Sequence, residues 1–189
     1  MDIFDRCQNK SNNPKIIFSL LPGSRIPEIE KNFVIMLELL ENLSIYKIFN
    51  EFLFEFALVD SFSMKRIAKI LNRRNWEVVP NNVQVNNIVY KFKSINMSLN
   101  WNSFEKILSR SNVVISMSGT AAEQAVGLAK PVIQIEGPGP QFTSSFADAQ
   151  RRLLGKNVFC ATKYKSKDEQ IQETINIVFK VLYLLKIDK

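Results

Sequence analysis

Histidine is absent from this 189-residue sequence, and cysteine occurs only twice, at Cys7 and Cys160. The first absence removes the side chain that enzymes use most often as a general acid or base. Both shortages argue against a zinc site, and we expect no bound metal. The two cysteines lie far apart and outside any redox spacing, so we expect no disulfide framework and a reducing, cytoplasmic compartment.

Long apolar runs are also missing. No stretch reaches the roughly 18 uninterrupted apolar residues that suggest a membrane-spanning helix. The most apolar tail, 175–187, is interrupted by Lys180 and Lys186. The N-terminus shows no apolar signal-peptide core. We therefore expect a chain without a transmembrane segment.

The sequence is rich in apolar residues and in positive charge. Apolar residues make up 46% of it and include 14 Phe, so we expect a folded domain with a sizeable core. The formal net charge is +7. Most of this charge fits solvated helix faces, while the remainder could serve a phosphate ligand or an anionic membrane surface. We expect no nucleic-acid partner, because basic and aromatic residues do not interleave as in a stacking platform.

Short apolar runs alternate with helix-like patterns along the chain. Strand-like runs at 15–21, 54–59, 113–117 and 131–135 are separated by helical periodicity. This alternation predicts an α/β protein with a doubly wound, largely parallel, Rossmann-like sheet. We expect a flexible lead-in at 1–14 and a single domain over 15–189. A short strand at 76–79 should stop before Pro80, and 81–99 reads as one or two strands or an insertion.

Several residues mark expected helix ends. The pairs Asn102 with Glu105 and Ser166 with Glu169 have capping-box spacing. Gly155 is expected to terminate the helix that ends near residue 154.

Two glycine-containing turns each follow a predicted strand and precede a predicted helix. They are Gly23-Ser24-Arg25, in which Ser24 is suited to cap the next helix, and Ser118-Gly119-Thr120. Such a turn points backbone N–H groups and a helix N-terminus at one place, which favours an anion such as phosphate. Taken alone, the second turn could equally be a tight connection that needs a glycine. Two such turns at the carboxyl edge of one sheet favour a nucleotide-type ligand.

A family resemblance rests on these same motifs. Leu20-Leu21-Pro22-Gly23-Ser24-Arg25, followed by Glu28, resembles the start of the C-terminal domain of lipid-A-disaccharide synthase, a glycosyltransferase of the two-domain GT-B fold. Ser118-Gly119-Thr120-Ala121-Ala122 with the later Pro131 resembles the donor-site helix of that family. The run from residue 139 to 150 is most similar to a related cyanobacterial group. The resemblance covers about residues 15–160.

The resemblance implies a role in donor binding for each matching residue. Ser118, Gly119 and Thr120 would hold the diphosphate of a nucleotide-sugar, and Gly23 and Ser24 would approach it from the first turn. Arg25 would pair with a phosphate, with a surface ion pair to Glu28 as the alternative.

The ribose contact departs from the family pattern. The family uses a Glu on the donor-site helix, and the aligned position here is Gln124, whereas Glu123 lies about 100° around the helix. Gln141, Phe142 and Thr143 would lie near the sugar or phosphate, or else form a loop packed on the sheet edge.

The implied function is that of the donor-binding half of such an enzyme. It would bind a UDP-sugar as substrate, with no other cofactor and with no catalytic residue assigned to this chain. About 14 residues precede the first strand, so we expect a separate acceptor-domain chain to supply the lipid-linked acceptor and the base. The protein would be cytoplasmic, with peripheral contact at the inner membrane face, and self-association is possible.

Two alternatives remain open at this point. The first is a non-catalytic nucleotide-sugar-binding or interaction protein that derives from a truncated glycosyltransferase. The second, weaker alternative is a nucleotide-sugar epimerase of the same architecture.

Overall fold

The structure, a computed structural model, describes residues 16–84, 87–137, 143–161 and 164–187. Its strands are β1 (Ile17–Leu21), β2 (Leu53–Leu58), β3 (Glu77–Gln84), β4 (Asn87–Phe92), β5 (Ile95–Trp101), β6 (Val113–Ser116), β7 (Val132–Gln134) and β8 (Val158–Cys160). Its α-helices are α1 (Glu28–Leu43), α2 (Met64–Arg73), α3 (Phe104–Arg110), α4 (Gly119–Gly127), α5 (Ser144–Leu154) and α6 (Lys167–Ile187). A short 3-10 helix, Lys47–Glu51, precedes β2.

The eight strands form one sheet in the order β3-β4-β5-β2-β1-β6-β7-β8. The six strands from β5 to β8 run parallel, and β3 and β4 add an antiparallel hairpin to one side. The predicted α/β class and Rossmann-like, largely parallel sheet are confirmed. The strands that follow β1 in the chain, β2 to β5, lie on one side of it in the sheet. The later strands β6, β7 and β8 lie on its other side. The reversal point between β1 and β6 is where ligands bind in sheets of this kind.

Helices pack on both faces of the sheet because the central strands carry apolar residues on both sides. In β1, Phe18 and Leu20 belong to the larger core cluster, which also contains residues of α1 and α6. Leu21 belongs to a second cluster with residues of α3 and α4. The alternation of side chains along a strand places these residues on opposite faces. The run of strongly apolar residues in β1 is therefore explained by double coverage.

One buried ion pair crosses from the sheet to a helix. Glu55 in β2 is 1% exposed, and its two carboxylate oxygens accept hydrogen bonds of 2.9 and 2.8 Å from the guanidinium of Arg110 at the end of α3. A bidentate pair of this kind compensates the desolvation of the carboxylate. It also ties α3 to β2.

The segment that the sequence left ambiguous is a hairpin, and the expectation that a strand stops before Pro80 was wrong. β3 continues through Pro80 to Gln84, with a register shift between Val78 and Val83 against β4. Proline lacks an N–H donor and is tolerated here because β3 is an edge strand.

The helix-end predictions had mixed outcomes. The capping box at Ser166 is confirmed, since Ser166 Oγ accepts from the Glu169 N–H at 3.2 Å and Glu169 accepts from the Lys165 N–H at 2.6 Å. Gly155 ends α5 with a φ of +86°, as predicted. The box at Asn102 was wrong.

Asn102 instead has a left-handed φ of +52°, and its amide donates to Asp60 at 3.1 Å. Asparagine tolerates this conformation better than most residues, and here it makes the turn before Ser103, the residue at the N-cap of α3. The expectation for Ser24 was also wrong, because α1 begins only at Glu28, after Pro27.

None of the helices in the described part of the chain combines the length and the hydropathy that a membrane crossing requires. The predicted lead-in at 1–14 lies outside the described residues.

Candidate functional site

The two predicted turns meet at the carboxyl edge of the sheet. β1 and β6 are parallel neighbours with Leu21 opposite Ser116, so the segments that follow them leave the sheet side by side. Between them lies a cavity of about 620 Å³. Its lining consists of Pro22, Gly23, Ser24, Arg25, Glu28, Ile29, Asn32, Met117, Ser118, Gly119, Thr120, Glu123, Thr143 and Phe146. The structure therefore brings together eight of the eleven residues predicted to bind the donor.

Hydrogen bonds from α1 hold the first turn in place. Gly23 has a φ of +97°, a conformation that a residue with a side chain adopts only with strain. The preceding carbonyl, of Pro22, accepts a 2.9 Å hydrogen bond from the side-chain amide of Asn32. The carbonyl of Arg25 accepts from the N–H of Ile29 at 2.8 Å, which joins the turn to α1. Ser24 and Arg25 themselves are exposed at the cavity.

The second turn leads directly into α4. Ser116 Oγ donates to the Ser118 carbonyl at 2.9 Å and accepts from the Ser118 N–H at 3.1 Å, so the end of β6 shapes the turn. Ser118 occupies the N-cap, and its side chain makes no capping hydrogen bond. A helix start of this kind has N–H groups without intrahelical partners and carries a partial positive charge. It suits an anionic group in the cavity.

The start of α5 forms the third wall of the cavity. Thr143 caps this helix by accepting from the Phe146 N–H at 3.4 Å, and it lines the cavity beside Phe146. A Cβ atom on Gly119 would lie 3.0 Å from Phe146 Cζ and 3.0 Å from Gln150 Nε2. Glycine at position 119 thus lets α5 approach the first residue of α4.

Glu123 and Gln124 occupy different positions relative to the cavity. Glu123 lines it, and one carboxylate oxygen accepts from Gln150 Nε2 at 3.3 Å. Gln124 is exposed and is not part of the lining. The ribose role that the resemblance gives to Gln124 stays a prediction, and of the two residues only Glu123 lines the cavity.

Sequence reasoning missed Asn32 and Phe146 as residues of the site. Asn32 is only 6% exposed and lies among buried apolar residues of α1, such as Phe33 and Met36. A polar residue within that apolar periodicity was the available signal. Its Oδ1 atom is buried without a hydrogen-bond partner. Phe146 carried no comparable signal, because its role depends on how α5 packs.

Gln141 and Phe142, which were predicted to lie near the sugar or phosphate, lie outside the described residues. No group of three His, Cys, Asp or Glu side chains suited to a metal ion occurs in the described ranges.

A second cavity of about 790 Å³ lies against the other side of α1 and the start of α6. Its lining includes Tyr164, whose hydroxyl donates to Glu136 and accepts from Gln170 Nε2 at 3.2 Å. Burial, followed by the hydrogen bond to Glu136, raises the pKa of Tyr164. This cavity is larger than the first, but its lining contains none of the predicted donor-binding residues.

The sequence matches no model of a known protein family, and it matches no curated protein. The fold and the cavity therefore define the class of protein: a Rossmann-like α/β protein whose candidate ligand site lies at the reversal of strand order.

Proposed function

We propose that the chain is the donor-binding half of a GT-B glycosyltransferase similar to lipid-A-disaccharide synthase, and that its ligand is a UDP-sugar. The observation that carries this proposal is that Gly23-Ser24-Arg25 and Ser118-Gly119-Thr120 line one cavity between β1 and β6. Both turns follow parallel strands, and both carry groups suited to phosphate.

The diphosphate would bind across the two turns. The N–H groups at the start of α4 would donate to one set of phosphate oxygens. Arg25 would add a guanidinium from the first turn, whose planar fork of donors matches two phosphate oxygens. This arrangement binds the charged part of the ligand without a metal ion.

The ribose and the remaining ligand would extend along α4 and α5. Glu123 offers a carboxylate that can accept hydrogen bonds from ribose hydroxyls. Phe146 is 39% exposed at the cavity and offers an apolar ring face against a base or a sugar.

In the proposed reaction an acceptor hydroxyl attacks the anomeric carbon of the sugar. The bond from that carbon to the diphosphate oxygen breaks, and UDP leaves with the electron pair. The N-terminus of α4 and Arg25 stabilise the negative charge on the leaving group. The proton of the acceptor hydroxyl passes to a base on a second domain or chain, which also holds the lipid-linked acceptor.

Exposed cations support the proposal of contact with an anionic membrane surface, where a lipid-linked acceptor would be found. Lys65, Lys69 and Arg73 recur every four residues along α2 and are exposed. Each basic residue near such a surface contributes about 1 kcal/mol.

The second candidate is a protein that binds a nucleotide-sugar without transferring the sugar. Among the described residues of the cavity wall, Glu28 and Glu123 are the only carboxylates, and no histidine, cysteine, lysine or tyrosine side chain is present. Glu123 is already hydrogen-bonded to Gln150. This composition favours binding over acid–base chemistry by the chain alone.

Titration calorimetry with UDP and UDP-N-acetylglucosamine tests the proposal. We expect binding by the natural chain and its loss in Gly119→Val, whose side chain would occupy the space between α4 and α5. The absence of heat at millimolar ligand would contradict both candidates. Binding without sugar transfer, even after an acceptor-domain chain is added, would favour the second.

A further inference from the structure

Gln150 joins β7, α5 and α4, and the last two of these elements line the cavity. It lies on α5, is 5% exposed, and uses both ends of its side-chain amide. Its Oε1 atom accepts a 2.5 Å hydrogen bond from Gln134 Nε2, and its Nε2 atom donates to Glu123 Oε1 at 3.3 Å. Gln134 lies at the end of β7 and is fully buried. A chain of hydrogen bonds therefore runs from the sheet through α5 to the carboxylate on α4.

The order of donors and acceptors in this chain fixes which end of Gln150 faces Glu123. A carboxylate only accepts hydrogen bonds, so it needs the amide NH₂ group rather than the amide oxygen. Gln134 donates to the oxygen of Gln150 and thereby directs the NH₂ group of Gln150 toward Glu123. A reversed amide would place two NH₂ donors together at Gln134 and two oxygen acceptors together at Glu123.

The packing around Gln150 keeps this orientation. Its Nε2 atom lies 3.0 Å from the position of a Cβ on Gly119, so the glycine makes room for it at the start of α4. One oxygen of Glu123 is thus occupied on the α5 side, while the residue still lines the cavity. This hydrogen bond favours one direction of a carboxylate that is otherwise exposed to solvent.

We propose that Gln150 is a positioning residue that orients Glu123 toward the ribose hydroxyls of the nucleotide, with Gln134 orienting Gln150 in turn. This inference rests on the proposed function. It adds a specificity: the cavity selects a ribonucleoside diphosphate over an analogue without ribose hydroxyls, because the oriented carboxylate loses its partners with the analogue.

The test compares UDP with 2′,3′-dideoxyuridine diphosphate by titration calorimetry. In Gln150→Leu we expect about a 3- to 10-fold loss of UDP affinity, the range for losing one oriented hydrogen bond, and an unchanged affinity for the dideoxy analogue. Gln150→Glu keeps the size of the side chain and an acceptor for Gln134 but removes the donor, so it should lose the same selectivity. In a Glu123→Ala background, Gln150→Leu should cause no further loss.

The matched control is Arg152→Leu, a change at an exposed position on the same helix, which should leave the affinity for both ligands unchanged. Thermal unfolding of each variant establishes that it is folded. An equal loss for both ligands would assign Gln150 a purely structural role and overturn the inference, as would an unchanged affinity for UDP. If the natural chain fails to bind UDP, the proposed function falls and this inference with it. If it binds UDP and only the selectivity is missing, the inference alone falls.

Discussion

The two glycines at opposite ends of α4 offer a matched test of how α4 and α5 pack. An alanine Cβ at position 119 would lie 3.0 Å from both Phe146 Cζ and Gln150 Nε2, whereas at position 127 it would meet nothing within 4 Å. Contacts of 3.0 Å force the neighbours to move, and overpacking of this kind costs about 1–3 kcal/mol. In the open helical position, replacing glycine by alanine gains about 0.5–1 kcal/mol.

We therefore expect the two Gly→Ala variants to change the free energy of unfolding in opposite directions. Gly127→Ala should raise it by about 0.5–1 kcal/mol. Gly119→Ala should lower it by about 1 kcal/mol, because the cost of moving Phe146 and Gln150 exceeds any gain in helix propensity. Urea unfolding followed by circular dichroism measures both values. UDP affinity, measured by calorimetry, should fall only in Gly119→Ala.

Equal stabilisation by the two variants would refute the packing of α5 on the start of α4. Gly119→Ala with lower stability but intact UDP affinity would retain that packing and remove the turn from the ligand site. The comparison thus separates the fold of this region from its function.

Three further predictions concern other parts of the molecule. Glu123→Ala should weaken UDP binding more than Gln124→Ala does, because Glu123 lines the cavity and Gln124 does not; calorimetry measures both affinities. Arg110→Met should lower the free energy of unfolding by about 3 kcal/mol in a urea titration, because the buried Glu55 carboxylate loses its bidentate partner. Burial raises the pKa of Cys160 to about 12, so its thiol should resist alkylation by iodoacetamide at pH 9, as followed by mass spectrometry.

For each of these three predictions, a specific experimental result would contradict it. A larger loss in Gln124→Ala would support the alignment from the family resemblance over the geometry. A Lys69→Met change on the exposed face of α2 controls for the loss of one positive charge, and an equally small effect in Arg110→Met would show that the ion pair contributes little. The raised pKa also has a consequence for stability: the folded state holds the Cys160 proton that the unfolded state releases, so stability should fall as the pH rises above about 9. Rapid alkylation of the folded protein at pH 9 would contradict the raised pKa of the half-buried Cys160.

The sequence predicted the fold class because the central strands are covered on both faces. Runs such as those of β1 and β6 are apolar on both faces of the strand, and this pattern separates buried parallel strands from half-exposed ones. The approach of the two turns was predictable for the same reason. Once two strands are parallel neighbours at the reversal of the sheet, the loops that follow them must leave the same edge.

The remaining features depend on tertiary packing that no local pattern encodes. Pro80 normally ends a strand, and only the edge position of β3 lets the strand continue. Phe146 and Gln150 reach the site because α5 folds back onto α4, and this contact requires a glycine 27 and 31 residues earlier in the chain. Asn102 fits a capping box by spacing, but its amide bonds to Asp60, 42 residues away.

The two edges of the sheet determine whether a strand of another protein can pair with this one. At one edge, Pro80 and the register shift interrupt the row of N–H groups that a new strand would need. At the other edge, β8 is only three residues long. Neither edge offers a long, regular template, so strand addition and edge-to-edge aggregation are disfavoured at both. The second domain that we propose would therefore dock through helices, loops and side chains, and the carboxyl edge with its cavity is the face on which it would complete the site.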